Sequence, residues 1–199
     1  MDKKIIQRVT IPTRYGDVEF CTFSNLSSNT EDFALIFNHA DSEVCPKVRV
    51  HSECITGDLF ASKKCDCGDQ FNEALELFSS TSGVIFYLRQ EGRGIGLYNK
   101  IHAYQLQIEG MDTYEANQAL NFDHDSRNYI AAVEMLNALG MHKIKLYTNN
   151  PDKVNQLHNH NINVVDICKT GCYLKPENIA YLQAKVVKTN HKLNLGEVI

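Results

Sequence analysis

Apolar and polar positions alternate over Ile5–Ile11 and again over Val18–Ser24, the period of half-buried strands. Arg14-Tyr15-Gly16-Asp17 between them predicts a turn. Phe33–Phe37 and Lys47–His51 are two further strand candidates, and Gly83–Leu88 is a continuous apolar run of strand length. The period then changes. Phe71, Ala74, Leu75 and Phe78 fall at helical spacing and predict a helix over Asp69–Phe78. Ile95–Gln107 reads as a helix with Gly110 at its stop. Ser126 is placed to cap a helix through Leu139, with Ile130, Val133, Leu136 and Leu139 as its apolar stripe and Gly140 ending it. Lys143–Tyr147 predicts a strand, Asn149-Asn150-Pro151 a helix entry with proline near the first turn, Ile162–Ile167 a strand and Glu177–Thr189 a final helix. Strands interleaved with helices imply a mixed α/β (α+β) fold. We expect one mixed sheet with flanking helices and an antiparallel N-terminal part, in a single domain over residues 1–199.

Composition narrows the class. A chain of 199 residues supports one core and buries roughly 70 % of its extended surface. Hydrophobic residues at 43 % and charged residues at 22 % are ordinary for a globular domain. No apolar run approaches the ~18–20 residues of a membrane span, and Met1–Arg8 lacks the apolar stretch of a secretion signal. Seven cysteines, an odd number without a signal, predict free thiols or metal ligands in a reducing cytoplasm. A formal net charge of −4 argues against general nucleic-acid binding and leaves room for a local anion site.

Three cysteines carry the strongest chemical signal: Cys54, then Cys65 and Cys67. A disulfide from Cys65 to Cys67 closes too tight a ring, so the pair reads as two thiolates aimed at one centre, with Cys54 as a third. Three thiolates on zinc leave a fourth position open for water, the mark of a catalytic site. A structural zinc completed by Cys45, Cys168, Cys172 or a histidine fits the spacing equally well. Arg49-Val50-His51-Ser52-Glu53, directly before Cys54, reads as one wall of a polar pocket or as an edge strand with a solvated face. Glu91-Gly92-Arg93-Gly94-Ile95-Gly96 follows a strand and opens a helix, where backbone N–H groups and Arg93 suit a phosphate. Leu97 occupies the place of the third glycine of a dinucleotide fingerprint, which counts against a nicotinamide enzyme. Thr148 to Lys153 is a second anion-site candidate, with an ordinary N-cap as the plain alternative. In Asp123-His124-Asp125-Ser126-Arg127, Asp125 is a candidate proton acceptor and Arg127 a phosphate-facing group; the alternative is a capped, solvated turn.

Taken in order, Arg49–Cys54, Thr56-Gly57-Asp58, Cys65-Asp66-Cys67-Gly68, Gln90–Leu97, Asn99-Lys100-Ile101, Asp112-Thr113, Glu115-Ala116-Asn117 and Thr148-Asn149-Asn150-Pro151 resemble GTP cyclohydrolase II. That family opens riboflavin biosynthesis. The resemblance implies conversion of GTP to 2,5-diamino-6-(5-phosphoribosylamino)pyrimidin-4(3H)-one, formate and diphosphate, with zinc and magnesium, by a homodimer. It makes Cys54, Cys65 and Cys67 the zinc ligands. It places Arg49, Val50, His51, Ser52, Glu53, Gln70, Glu91, Gly92, Arg93, Thr113, Thr148 and Lys153 around GTP. It makes Asp125 the proton acceptor, Arg127 the nucleophile toward the α-phosphate, and Tyr104 a partner in completing ring opening. An arginine nucleophile must give up a proton at a cost of roughly 7–8 kcal/mol at neutral pH, so Arg127 as a clamp on transition-state charge is the alternative. Tyr104, Asp125 and Arg127 argue against two rivals, a non-catalytic zinc protein and an enzyme that stops at a formylated intermediate. Lys64 stands where the family has arginine, keeping charge but losing the planar fork. Residues 166–175 depart from the family pattern, which returns at Asn178. The length leaves no room for the synthase domain that some members carry, implying a monofunctional chain.

Overall fold

In the computed structural model, which describes residues 4–111, 113–122, 127–179, 181–183 and 186, two patterns of strand pairing meet in one sheet. Its seven strands are β1 (Lys4–Thr13), β2 (Gly16–Ser24), β3 (Phe33–Phe37), β4 (Lys47–Ser52), β5 (Gly83–Leu88), β6 (Lys143–Tyr147) and β7 (Asn163–Cys168). They lie in the order β1-β2-β3-β5-β4-β6-β7. The β1–β2, β2–β3 and β3–β5 pairs are antiparallel, whereas β5–β4, β4–β6 and β6–β7 are parallel. The expected mixed fold with an antiparallel N-terminal part is therefore the fold observed.

Alternation divides the core into two faces. Ala34, Ile36, Val48, Val50, Val84, Phe86 and Leu88 pack against α5 (Ile130–Ala138) and α6 (Pro151–Asn159), whose Met135, Leu136, Val154 and Leu157 are buried. Val18, Leu35, Phe37 and Ile85 face α2 (Cys67–Ser80) through Ala74, Leu75 and Phe78. Strand β5 is buried on both faces, which explains its unbroken apolar run. Each large side chain so buried contributes roughly 1.5–3 kcal/mol. Gly83 opens β5 because the Phe78 ring occupies the space a Cβ would need, with atoms at 2.4–2.6 Å.

The boundaries move in informative ways. Helix α2 begins at Cys67, two residues before the expected start, so one candidate ligand sits on its first turn. Helix α3 (Leu97–Ile108) is preceded by a separate 3-10 turn at Glu91–Gly94. Helix α5 starts after Tyr129; the expected cap Ser126 lies outside the described residues. Strand β7 runs one residue later than expected. Helices α1 (Ile55–Asp58) and α4 (Thr113–Ala119) are too short to leave a helical period in the sequence. Of the expected helix Glu177–Thr189, Ile179, Tyr181–Gln183 and Val186 are helical, and its remaining positions from Ala180 onward lie outside the described residues.

The parallel strands β4, β5 and β6 end on the same edge, and ligand sites in such sheets form outside those carboxyl ends. From that edge extend the loops that begin at Glu53, Arg89 and Thr148.

Candidate functional site

Strand β4 ends at Ser52, and two residues later Cys54 caps the single turn of α1. That turn packs on the start of α2 with no space between the backbones. A Cβ at Gly68 would sit 2.1 Å from the Gly57 carbonyl oxygen, and one at Gly57 would meet the Cys54 and Cys65 sulfurs at 3.1 Å. Two glycines thus permit a cradle into which three thiols project. The Sγ atoms of Cys54, Cys65 and Cys67 all lie within 4.8 Å of one another, and Cys54 and Cys65 are 3.6 Å apart. Tetrahedral thiolates at a zinc–sulfur distance of about 2.3 Å sit about 3.8 Å apart, so the trio fits such an ion. Among the described residues no further His, Cys, Asp or Glu joins the group. This disfavours the structural alternative with Cys45, Cys168 or Cys172 as fourth ligand.

The thiols are electrostatically prepared. Hydrogen bonds from Cys65 and Cys67, helped by the Lys100 ammonium, hold the Cys54 thiol far below its ordinary range against the opposing effect of burial. The same sharing pushes Cys65 up, so without a metal the cluster keeps a proton. Lys100 Nζ donates to Cys54 Sγ at 3.2 Å, to Thr56 Oγ1 at 2.9 Å and to Glu91 Oε1 at 2.8 Å.

Beside the thiols opens a cavity of about 80 Å³, with Cys67 in its wall. Its distinguishing feature is positive charge: Arg49, Arg93, Arg127 and Lys153 all line it. Arg49 is buried on β4, with Nη2 donating to Gln70 Oε1 at 3.2 Å. Its Nε has no hydrogen-bond partner among the described residues. Burial pulls the Arg49 pKa down, against the opposing charges of Glu73, Cys67, Asp66 and Asp58. Arg93 and Gly92 both adopt left-handed backbone, at φ 62° each. That conformation strains a non-glycine residue and is typical of ligand loops. Lys153, in the first turn of α6, donates to the Val50 carbonyl at 2.6 Å. Asn150 caps the same helix by accepting from the Asp152 N–H, with Pro151 in the first turn. Four cations lining one cavity suit a polyanion.

His51 lines the cavity with its ring against Phe71 and Tyr87. Burial lowers its pKa, outweighing the bond from Nε2 to Asp58 Oδ2 at 3.0 Å, and keeps the ring neutral. Asp58 Oδ2 also accepts from the Cys54 N–H at 3.0 Å and the Tyr87 hydroxyl at 2.8 Å. One carboxylate therefore ties a cavity wall to the thiol loop.

Of the residues expected around GTP, Arg49, His51, Ser52, Gln70, Arg93, Thr148 and Lys153 come together in this lining. Val50 lies in the core and reaches the site through its carbonyl alone. The Glu53 carboxylate pairs with Arg89 at 2.8 Å. Glu91 is buried and accepts from Lys100, from the Gly92 N–H and from the Ile55 N–H at 2.6 Å, joining the glycine-rich turn to α1. Gly92 supplies backbone shape: a Cβ there would press on Ile95 and Lys100 at 3.0 and 3.2 Å. Tyr104 is half-buried beside the thiols, its ring 5.0 Å from Lys64 Nζ and 5.7 Å from Lys100 Nζ. Burial raises its phenol pKa, partly countered by Lys100. Asp125 and the side chain of Thr113 lie outside the described residues.

The lining also holds Asn149, Asn150, Thr170 and Tyr181. Thr170 and Asn149 bond each other, with Asn149 Nδ2 donating to the Thr170 carbonyl at 2.8 Å and the Thr170 N–H donating back at 3.2 Å. Gly171 is fixed to α2, its N–H donating to both Glu73 oxygens and its carbonyl accepting from Gln70. The segment that departs from the family pattern thus closes one side of the cavity. The Asn-Asn-Pro motif was a usable signal; nothing in the sequence marked Thr170.

Residues 3–169 match the family model described as GTP cyclohydrolase II. The chain belongs to the GTP cyclohydrolase II family. It is 50 % identical over 180 residues to GTP cyclohydrolase-2 of Vibrio cholerae, covering 90 % of this chain and 91 % of that protein. It is 49 % identical over 176 residues to GTP cyclohydrolase-2 of Psychromonas ingrahamii, covering 88 % of each. It is 44 % identical over 188 residues to riboflavin biosynthesis protein RibBA of Bacillus cytotoxicus, covering 94 % of this chain and 47 % of that protein. A solved two-domain 3,4-dihydroxy-2-butanone 4-phosphate synthase from A. baumannii shares the fold, with a TM-score of 0.51 at 17 % identity over 86 % of this chain and 41 % of that one. The enzyme class implied by the motifs is thereby established as a GTP cyclohydrolase II hydrolase. Among the described residues, no helix is long and apolar enough to cross a membrane.

Proposed function

We propose that this GTP cyclohydrolase II hydrolyses GTP to 2,5-diamino-6-(5-phosphoribosylamino)pyrimidin-4(3H)-one, formate and diphosphate, using zinc held by Cys54, Cys65 and Cys67. The observation that carries the reading is the convergence of three thiols, one of which, Cys67, stands in the wall of a cavity lined by four cations. Ring opening, formamide hydrolysis and phosphoanhydride cleavage each consume a water, so one site must serve both ends of the nucleotide. Zinc, when bound, supplies Lewis acidity and brings its water's pKa toward neutrality. Arg49, Arg93 and Lys153 bind the triphosphate, and magnesium neutralises the leaving diphosphate. Tyr104, protonated at neutral pH, is placed beside the thiols to donate a proton to the opening imidazole. Arg127 faces the α-phosphate, with Asp125 as its proton acceptor. A guanylyl adduct lost in Arg127→Ala marks Arg127 as the nucleophile; an adduct that persists makes it a clamp.

None of the seven cysteines is in a disulfide, which supports a reducing, cytoplasmic setting. The family resemblance supports a homodimer, which sedimentation tests. The activity is checked by incubating the zinc-loaded protein with GTP and Mg²⁺ and quantifying formate, diphosphate and the pyrimidine. Full formate release after verified zinc removal would refute the metal assignment, and diphosphate without formate would refute the ring-opening one.

A further inference from the structure

Lys100 is buried on α3, yet the carboxylate that compensates its charge takes up only part of its bonding capacity. An ammonium has three N–H donors and no acceptor. All three have partners of different kinds: the Glu91 carboxylate at 2.8 Å, the Thr56 hydroxyl at 2.9 Å and the Cys54 sulfur at 3.2 Å. Glu91 in turn belongs to the glycine-rich turn beside Arg93. Thr56, having accepted from Lys100, is left to donate to the Tyr104 phenol oxygen with which it is hydrogen-bonded. One nitrogen therefore touches a metal-ligand sulfur, the support of the tyrosine and the anchor of the phosphate loop. A plain buried ion pair requires only the last of these contacts, the one to Glu91.

We propose that Lys100 is a positioning residue of the hydrolytic centre, holding the Cys54 thiolate, the Thr56–Tyr104 pair and the Glu91 turn in one register. Its N–H···S bond also withdraws electron density from Cys54, tempering a donor set that puts three negative charges on a divalent ion. This rests on the zinc reading above.

The test uses the whole protein loaded with cobalt in place of zinc, whose thiolate-to-metal charge-transfer band reports on each sulfur. Removing a donor from a thiolate makes it easier to oxidise, so Lys100→Met shifts that band to lower energy. Zinc affinity against a chromophoric chelator falls by about 10–100-fold, as for other groups that orient metal ligands. Formate production loses kcat, KM for GTP rises as the Glu91 turn loosens, and Lys100→Arg recovers part of both. A Lys100→Met protein with the wild-type cobalt spectrum and wild-type zinc affinity overturns the inference. If Lys100→Met does not fold, Lys100→Arg carries the test, because a planar guanidinium cannot meet three divergent acceptors and must still shift the band. A wild-type protein with no thiolate–cobalt band instead overturns the zinc reading itself.

Discussion

Replacing Gly68 with alanine tests whether the cradle of the proposed metal site is set by backbone contact. The new methyl would lie 2.1 Å from the Gly57 carbonyl oxygen and 2.7 Å from its carbon, atoms of a backbone that no rotamer change can move. Opening 2.1 Å to the 3.4 Å of ordinary contact moves α1 and α2 apart by about 1.3 Å. Cys54 lies on one side of that gap, and Cys65 and Cys67 on the other. Metal–ligand distances tolerate roughly ±0.2 Å, so the displacement is several times what the site absorbs. The fold itself loses about 1–3 kcal/mol from overpacking. At about 2–4 °C per kcal/mol for a chain of this size, Tm falls by roughly 2–12 °C. Gly140→Ala is the control: its φ of +70° also disfavours alanine, but nothing lies within 4 Å of the new methyl and it is remote from the thiols. Zinc per chain and its transfer rate to a chelator, measured beside the melting curve, separate the effects. We expect Gly68→Ala to lose zinc and Gly140→Ala to lose only stability. Equal zinc retention by the two variants would refute the argument.

Three further outcomes follow from the same geometry. Burial lowers the His51 pKa in the folded state, whereas the unfolded chain takes up the proton near pH 6.5. Stability from this group is therefore full above about pH 6.5 and is lost as pH falls toward the folded pKa; a Tm–pH slope unchanged in His51→Phe would contradict this. Glu73→Ala removes both acceptors of the Gly171 N–H. A charged hydrogen bond contributes about 1.5–3 kcal/mol, so KM for GTP should rise by at least about tenfold with kcat retained, and an unchanged KM would show that the segment around Gly171 does not act on the nucleotide. Asn150→Ala removes the cap of α6 and costs about 1 kcal/mol, read as a lower denaturation midpoint at constant m; no shift would mean that Pro151 alone fixes the helix start.

What was legible in the sequence had a local cause. The β5 run, the α2 stripe and the Cys65–Cys67 spacing are properties of neighbouring residues, and each predicts its element or its chemistry without knowledge of the rest. What was not legible depends on pairs far apart. Gly57 and Gly68 matter because two backbones touch. Gly171 is held by Glu73 and Gln70, about a hundred positions away, so residues 166–175 read as a departure and not as part of the site. Lys100 reads as one polar residue on an amphipathic helix until its three acceptors are in place. Glu53 and Glu91, expected to face the ligand, have their carboxylates engaged by Arg89 and Lys100 respectively.

Strand β4 shows why a polar alternation can mislead. Val48 and Val50 enter the core, so by period 2 Arg49 and His51 belong to the opposite face, the pattern of an edge strand with one wet side. Here β4 is central, between β5 and β6, and that opposite face is covered by α1 and the first turns of α2. Arg49 and His51 are consequently as buried as the valines. Burying a guanidinium is costly unless anions surround it. Glu73, Cys67, Asp66 and Asp58 provide that negative charge, and all four belong to α1, to α2 or to the link between them. The same segment that brings the thiols together thus makes a buried arginine tolerable beneath the cation-lined cavity. Its Nε is still without a partner among the described residues, which leaves it available to an anionic ligand. On this argument Arg49→Lys, which keeps the charge but loses the Nε donor and the planar fork, should weaken GTP binding more than it weakens the fold.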